Sequence, residues 1–288
     1  MNVYKNVLLA GATGYLGNYI LKALIEKKYQ VIAIVRDPKK LKNENEDYLE
    51  IKQAEVTNPE TLRDICKGID TVISTIGITR QKDGLTYMDV DYQGNMNLLQ
   101  EAQKSGVNHF VYISAINGEK YRKLKIFEAK EKFVDALKAS GLSYTVVRPN
   151  GFFSDMRDFL KMAESGRVYL FGSGQQKFNP IHGEDLAKAI VEKLDDQIKE
   201  FSLGGPDILS LNEISQMAFT ALDQPVKIVH LPDWTRKLSL WSLRTFTPVQ
   251  TYGPFEFFLT LMAEDNTAPT CGRHHLEDFF IEEAKILK

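Results

Sequence analysis

Asn6-Val7-Leu8-Leu9-Ala10-Gly11-Ala12-Thr13-Gly14-Tyr15-Leu16-Gly17 joins a strand pattern to a helix pattern through three glycines. Its first five residues form a short apolar run stopped by a glycine, the pattern of a strand buried on both faces. Beyond the glycines, Leu16, Ile20, Leu24 and Ile25 share one face at helical spacing, so a helix is expected over 15–28. Three glycines spaced Gly11-x-x-Gly14-x-x-Gly17 join the two elements. The first permits a tight turn, the second lets backbone approach a pyrophosphate, and the third lets the helix pack closely on the sheet. Free N–H groups and a partial positive charge at the helix start suit phosphate oxygens. Gly11, Thr13, Gly14, Tyr15, Leu16 and Gly17 are therefore expected to hold a dinucleotide. The alternative is a glycine-rich connection with no ligand.

The same alternation continues outward. Strand patterns cover 31–35, 49–56, 69–76, 107–114 and 142–147. Helical patterns cover 85–105 and 125–139, and Asn58-Pro59-Glu60 reads as a helix start with its cap. A charged stretch through Asp47 reads as a solvated surface segment. Strands separated by helices need crossovers, hence an α/β fold: a Rossmann-type, doubly wound parallel sheet. Past Arg148-Pro149 the pattern loosens into Gly-rich turns, a helix at 184–195, a strand at 201–203, a helix at 211–222 and a strand at 226–231. The expected domains are residues 1–150, binding the dinucleotide, and 151–288, a smaller α+β lobe for substrate or partner that partly returns to the sheet.

Cofactor choice is read where the second strand ends. A carboxylate there bonds the ribose hydroxyls of NAD(H), and a cation there meets the 2′-phosphate of NADP(H). Val35 closes the apolar run and Arg36 follows it, which points to NADP(H) ahead of NAD(H). The rival has Arg36 solvated and Asp37 on the ribose. Glu55 and Val56, at the end of the third strand, are expected near the adenine.

The chain has 288 residues and a net charge of -2, with no basic field to suggest nucleic acid as a partner. Cys66 and Cys271 stand far apart and form no metal-type cluster, so no metal site is expected. A reducing, cytoplasmic compartment is expected instead. The first residues lack a signal-peptide pattern, and no apolar run approaches the length of a membrane span.

In these residues the chain resembles the atypical short-chain dehydrogenase/reductases. It is most similar to the NmrA-like group and the relatives of the 39-kDa NAD(P)H-binding subunit of respiratory complex I. The likeness is carried by Gly-Ala-Thr-Gly-Tyr-Leu-Gly at 11–17, Val-Arg-Asp-Pro at 35–38, Ile-Ser-Thr-Ile-Gly at 73–77 and His-Phe-Val-Tyr-Ile-Ser-Ala at 109–115. It continues in Ala-Lys-Glu-Lys-Phe at 129–133, Ser-Gly-Leu-Ser-Tyr-Thr-Val-Val-Arg-Pro at 140–149, Pro-Ile-His-Gly-Glu-Asp-Leu-Ala at 180–187 and Gly-Gly-Pro at 204–206. The resemblance implies an NAD(P)-binding lobe, with Thr75, Gly77, Lys130 and Pro149 added to the cofactor-binding residues. It implies no single reaction, because the group includes reductases, redox sensors and assembly subunits.

Active members of the broader superfamily use a Tyr-x-x-x-Lys pair for proton transfer, with a serine on the preceding strand to orient substrate. By that resemblance Ser114 and Lys130 are the candidate catalytic residues. Four residues before Lys130, however, stands Ile126, which transfers no proton. Tyr121 and Lys125 also spell Tyr-x-x-x-Lys, in a charged segment expected to cap the helix. His182 and Asp185 could form an acid/base dyad, or could serve as packing and first-turn residues. His274-His275 lacks carboxylate or cysteine ligands at suitable spacing and is expected at an interface or in solvent.

From Trp234 to Met262 the chain is rich in aromatic residues interrupted by Pro248 and Pro254, which are expected to break any continuous helix. Three roles stand open: a lid over a flat apolar ligand, with several rings near the nicotinamide end; a surface docking on protein or membrane; or packing between lobes. The function expected is an NADP(H)-dependent oxidoreductase acting on a small apolar or quinone-like acceptor. A non-catalytic NAD(P)H sensor or scaffold is the rival, and a sugar-nucleotide epimerase is disfavoured because its Tyr-x-x-x-Lys is misplaced.

Overall fold

The computed structural model describes residues 5–41, 47–79, 84–196 and 198–287. The first four residues and most of the charged stretch before Asp47 lie outside the described residues.

The elements in chain order are β1 (Asn6–Ala10), α1 (Tyr15–Glu26), β2 (Gln30–Val35), β3 (Leu49–Gln53), β4 (Thr71–Ser74), α2 (Asn95–Lys104), β5 (His109–Ile113), α3 (Lys125–Lys138) and β6 (Ser143–Pro149). They continue as α4 (Phe153–Glu164), β7 (Val168–Phe171), β8 (Lys177–Phe178), α5 (Gly183–Glu192), β9 (Glu200–Leu203), β10 (Leu209–Ser210), α6 (Leu211–Ala221), β11 (Ile228–Leu231), α7 (Asp233–Phe246), α8 (Val249–Leu261) and α9 (Leu276–Leu287). Seven strands form one sheet in the order β3-β2-β1-β4-β5-β6-β9. The pairings from β3 to β6 are parallel. This is the Rossmann arrangement, and its order reverses between β1 and β4, where the crevice for a ligand opens at the strands' carboxyl ends. The strands are apolar because both faces are covered: Leu8, Val72, Phe110, Tyr112 and Val146 pack with Leu98 of α2 and Phe133 of α3.

The chain divides into two compact units. One comprises Met1–Ser114, Gly118–Arg148 and Ala187–Phe201; the other comprises Ala115–Asn117, Pro149–Leu186 and Ser202–Lys288. The second has its own core, built on Phe153 and Phe159 of α4, Phe219 of α6 and Phe280 of α9. It is more helical than the loosened pattern suggested. Phe153, Met156, Phe159, Leu160 and Ala163 are all buried and keep strict helical spacing, yet the flanking glycines obscure them.

Three further expectations are corrected. β3 ends at Gln53, so Glu55 and Val56 lie beyond it. The helix expected over 85–105 opens as a π-helical turn, Met88–Gly94, before α2. Here Gly94 packs so closely on Val56 that a Cβ would stand 2.9 Å from its Cγ2. Pro254 does not break α8 but lies inside it, whereas Pro248 does separate α7 from α8. The helical carbonyl that Pro254 leaves without a donor belongs to exposed Gln250, where water can serve it.

Candidate functional site

The site is built outward from the turn after β1. Gly11 has a φ of 90°, and a Cβ there would collide with Thr75. A Cβ on Gly17 would fall on the carbonyl oxygen of Gly11, so the helix can start this close to the strand only with glycine. Gly14 precedes α1 in extended conformation, its N–H donating to Gly11 O at 2.9 Å, and no side chain caps the helix. Thr13 and Gly14 are exposed, Tyr15 half-buried, and Leu16 and Gly17 buried. An uncapped helix start beside an exposed loop is what a pyrophosphate requires, so these residues fit the cofactor the sequence implies.

Thr75 follows β4 at the same end of the sheet. Its hydroxyl donates to Ala10 O at 3.0 Å, tying the two strand ends together at the switch point. Gly77, two residues on, is exposed and lies against Lys130 of α3: a Cβ there would stand 2.6 Å from Lys130 Nζ. Fold geometry thus brings Gly11, Thr75, Gly77 and Lys130 to one edge of the sheet.

Lys130 has a partner that the sequence did not announce. Its Nζ lies 2.8 Å from Asp91 Oδ1, and Asp91 is fully buried in the π-helical turn. The other carboxylate oxygen of Asp91 accepts from Ile78 N at 3.1 Å. Burial works to lower the Lys130 pKa, but the Asp91 carboxylate and the Tyr112 hydroxyl together outweigh it and hold the ammonium above the ordinary lysine value. Lys130 is therefore a fixed cation with N–H groups left to donate. Asn95 braces the turn, its Nδ2 donating to Asp91 O at 2.9 Å. A π-helical turn of this kind often marks a functional site, but its sequence, Met-Asp-Val-Asp-Tyr-Gln-Gly, reads as ordinary helix.

Ser114 is placed differently. Its Oγ donates to Glu131 Oε1 at 3.0 Å, and Glu131 is fully buried in a bidentate pair with Arg148, at 2.6 and 2.8 Å. Arg148 also pairs with Glu200. Ser114 and Lys130 therefore contact different carboxylates. Ile126 is buried. Tyr121 precedes α3, so it and Lys125, the helix's first residue, do not form a one-turn helical pair; its ring stacks on Phe127 at 6.3 Å. Tyr112, whose ring lies 5.8 Å from Lys130 Nζ, is fully buried, and its burial raises the phenol pKa.

Arg36 is exposed just past β2. Asp37 is engaged elsewhere, accepting from Lys39 N at 3.0 Å as the cap of a short turn. This favours Arg36 over Asp37 as the residue met by the adenosine ribose. NADPH should accordingly bind about tenfold tighter than NADH, because a hydrogen bond to a charged group contributes roughly 1.5–3 kcal/mol. Arg36→Ala should erase most of that difference in parallel fluorescence titrations, and equal affinities in the unmodified protein would overturn the assignment. Glu55 and Val56 anchor the turn after β3: Glu55 N donates to Thr61 Oγ1 at 2.9 Å, and Val56 O accepts from Asn97 at 2.8 Å. Pro149 closes β6 and accepts from Ile116 N at 3.0 Å.

In the second unit Asp185 binds the chain near residue 274, accepting from the backbone N–H groups of Arg273 and His274 at 3.0 Å and pairing with His274 Nδ1 at 2.9 Å. The fold also brings His182 and Glu184 beside His274, with ligand-type atoms within 4.8 Å, which the spacing of His274-His275 alone did not foretell. The rings of His182 and His274 lie 4.2 Å apart and 30° from parallel.

From Trp234 onward the chain forms α7 and α8. Trp234, Trp241, Phe246 and Phe255 are exposed, while only Leu240, Gly253 and Glu256 of these helices are buried. These four rings stand at the surface instead of in the core of the second unit.

The family model described as NAD(P)H-binding matches residues 11–197. The chain is 26% identical over 324 residues to divinyl chlorophyllide a 8-vinyl-reductase of Arabidopsis thaliana, covering 98% of this chain and 77% of that one. It is 27% identical over 237 residues to photosystem II assembly factor Ycf39 of Trieres chinensis, covering 81% and 74%. Among solved structures it is similar to the NADPH-dependent quinone oxidoreductase of Escherichia coli in complex with NADPH. That match has a TM-score of 0.70 at 18% identity and covers 98% of this chain and 99% of that one, a likeness of fold.

Proposed function

The chain belongs to the family of NAD(P)H-binding proteins, and from that premise we propose that it is an NADPH-dependent reductase delivering hydride to an apolar conjugated acceptor. Its relatives include a vinyl reductase, and its fold is shared with a quinone reductase. One observation carries the reading. Where a carbonyl reductase of this kind has a proton-donating tyrosine, this chain has buried Ile126, one helical turn before a lysine already fixed by Asp91.

NADPH supplies the hydride when bound. The uncapped start of α1 holds its pyrophosphate, and Arg36 meets its 2′-phosphate. Lys130, kept charged by Asp91, donates to the nicotinamide ribose beside Gly77. Among the described residues beside Lys130, Ile126 carries no proton to give and Tyr112 is fully buried with its phenol pKa raised. The acceptor must therefore be one whose reduced form takes its proton from water, as a quinone or a conjugated vinyl group does. A ketone needs a positioned acid as its alkoxide forms.

NADPH oxidation measured against quinones, a vinyl-bearing macrocycle and simple ketones tests this. Conjugated acceptors should turn over at least about 100-fold faster, the lower range of a general acid's contribution. Lys130→Ala should lower turnover and weaken cofactor binding, and Tyr121→Phe should change little. Brisk ketone reduction abolished by Tyr121→Phe would overturn the reading. Firm NADPH binding without turnover on any acceptor would assign the chain to an assembly or sensing role, such as the second relative's name describes.

A further inference from the structure

Helix α7 has two apolar faces where one would suffice. Leu240 is buried against the second unit, but Trp234, Leu238 and Trp241 recur at i, i+4 and i+7 and form a stripe facing away from it. These three side chains are 63%, 52% and 60% exposed; Phe246, at the end of the helix, is 74% exposed and Phe255 of α8 is 53% exposed. The ring of Phe246 meets Trp241 edge to face at 6.2 Å, so the stripe runs on to the end of the helix as a docking surface, not scattered exposure.

We infer that this face inserts shallowly into a lipid bilayer with anionic headgroups, α7 lying in the plane of the interface. The area argues for lipid over a protein partner. At about 150–250 Å² per aromatic side chain, the exposed rings offer roughly 400–600 Å². A standard protein interface needs about 800 Å² on each side, with matched shape. Lipid demands no such complementarity and accepts a narrow stripe of Trp, Leu and Phe beside cations. The charges agree. Residues 233–262 hold three cations (Arg236, Lys237, Arg244) and two acids (Asp233, Glu256), a net +1 on a chain of net -2, which leaves -3 elsewhere. Both acids are occupied: Asp233 binds Arg236 at 2.7 Å and Lys237 at 3.5 Å, and Glu256 binds Arg244 at 2.6 Å. Lys237 flanks the stripe with its side chain 72% exposed, and its 3.5 Å pairing with Asp233 is one a headgroup phosphate can replace. Among the described residues no helix is long and apolar enough to cross a membrane, so the contact is with its surface.

The chain carries its own reporter. Its only two tryptophans are Trp234 and Trp241, so tryptophan emission reads this stripe alone. Adding vesicles of phosphatidylcholine and phosphatidylglycerol should blue-shift the emission and make it quenchable by brominated lipid, more strongly than phosphatidylcholine alone. In co-sedimentation, Leu238→Ser with Phe246→Ser should weaken vesicle binding at least about tenfold. NADPH affinity and circular dichroism should stay unchanged, which separates lost docking from lost folding. An unshifted emission with no co-sedimentation would overturn the inference. So would a blue shift that needs no lipid and follows protein concentration, which would assign the stripe to a second copy of the chain.

Discussion

Replacing Gly17 by alanine will sharply weaken NADPH binding and destabilise the first unit, although it adds only one methyl group. The added Cβ would fall on the carbonyl oxygen of Gly11 and crowd the backbone of Ala12 as well. Neither neighbour is a side chain that can swing away. The remedy is for α1 to lift from the turn, but Leu16, Ile20, Leu21 and Leu24 of that helix are buried in the core. Overpacking a close-packed site costs about 1–3 kcal/mol, and here the strain falls on the backbone that must present its N–H groups to the pyrophosphate. Affinity should drop by about 100-fold or more, since about 1.4 kcal/mol corresponds to a factor of ten. Gly14→Ala is the control. Its Cβ would meet Gly11 O at 3.2 Å, a contact relieved by a few tenths of an ångström, so a milder loss is expected. Titration and thermal melts of the two variants check this, and an unimpaired Gly17→Ala would show that the turn does not hold the cofactor.

That contrast explains what could be read from the chain directly. A turn built by backbone is written locally: Gly11, Gly14 and Gly17 lie within seven residues, and the flanking apolar runs announce strand and helix. Parallel order followed from the same alternation, because crossovers leave few topologies. The partners of the site's charged groups are a different matter. Asp91 meets Lys130 across the fold, and nothing in either segment's pattern marks the other. The π-helical turn that aims Asp91 inward differs from α-helix by one hydrogen-bond register and carries no residue signature. The same holds for Glu131, which local reading treats as one more charge on an amphipathic helix although it is fully buried. Burial of α4 behind glycine turns, and the passage of α8 through Pro254, show tertiary packing overriding local punctuation.

Removing the Glu131 carboxylate will have the larger effect on stability. Glu131→Ala leaves Arg148, whose side chain is only 7% exposed, without its bidentate partner, and leaves the Ser114 hydroxyl without its acceptor. Glu200, a third exposed, and Glu119 at 3.9 Å are more solvated partners for the guanidinium. Removing one member of a buried pair costs about 3–5 kcal/mol, because the remaining charge stays desolvated. Thermal unfolding should fall by roughly 10 °C, given about 2–4 °C per kcal/mol in chains of comparable size. Glu131→Leu combined with Arg148→Met should recover part of the loss, since the pair's attraction is largely offset by its own desolvation. The same cluster decides what Ser114 does. If its hydroxyl serves Glu131 alone, Ser114→Ala costs about 1–2 kcal/mol of stability and leaves kcat with a conjugated acceptor intact. If instead it orients substrate, kcat falls while the melting temperature hardly moves. The geometry favours the first outcome: the hydroxyl is buried against both members of that pair, donating to Glu131 and accepting from Arg148 Nη1 at 3.3 Å. On that outcome the proposed chemistry would rest on Lys130, held by Asp91, to position the cofactor.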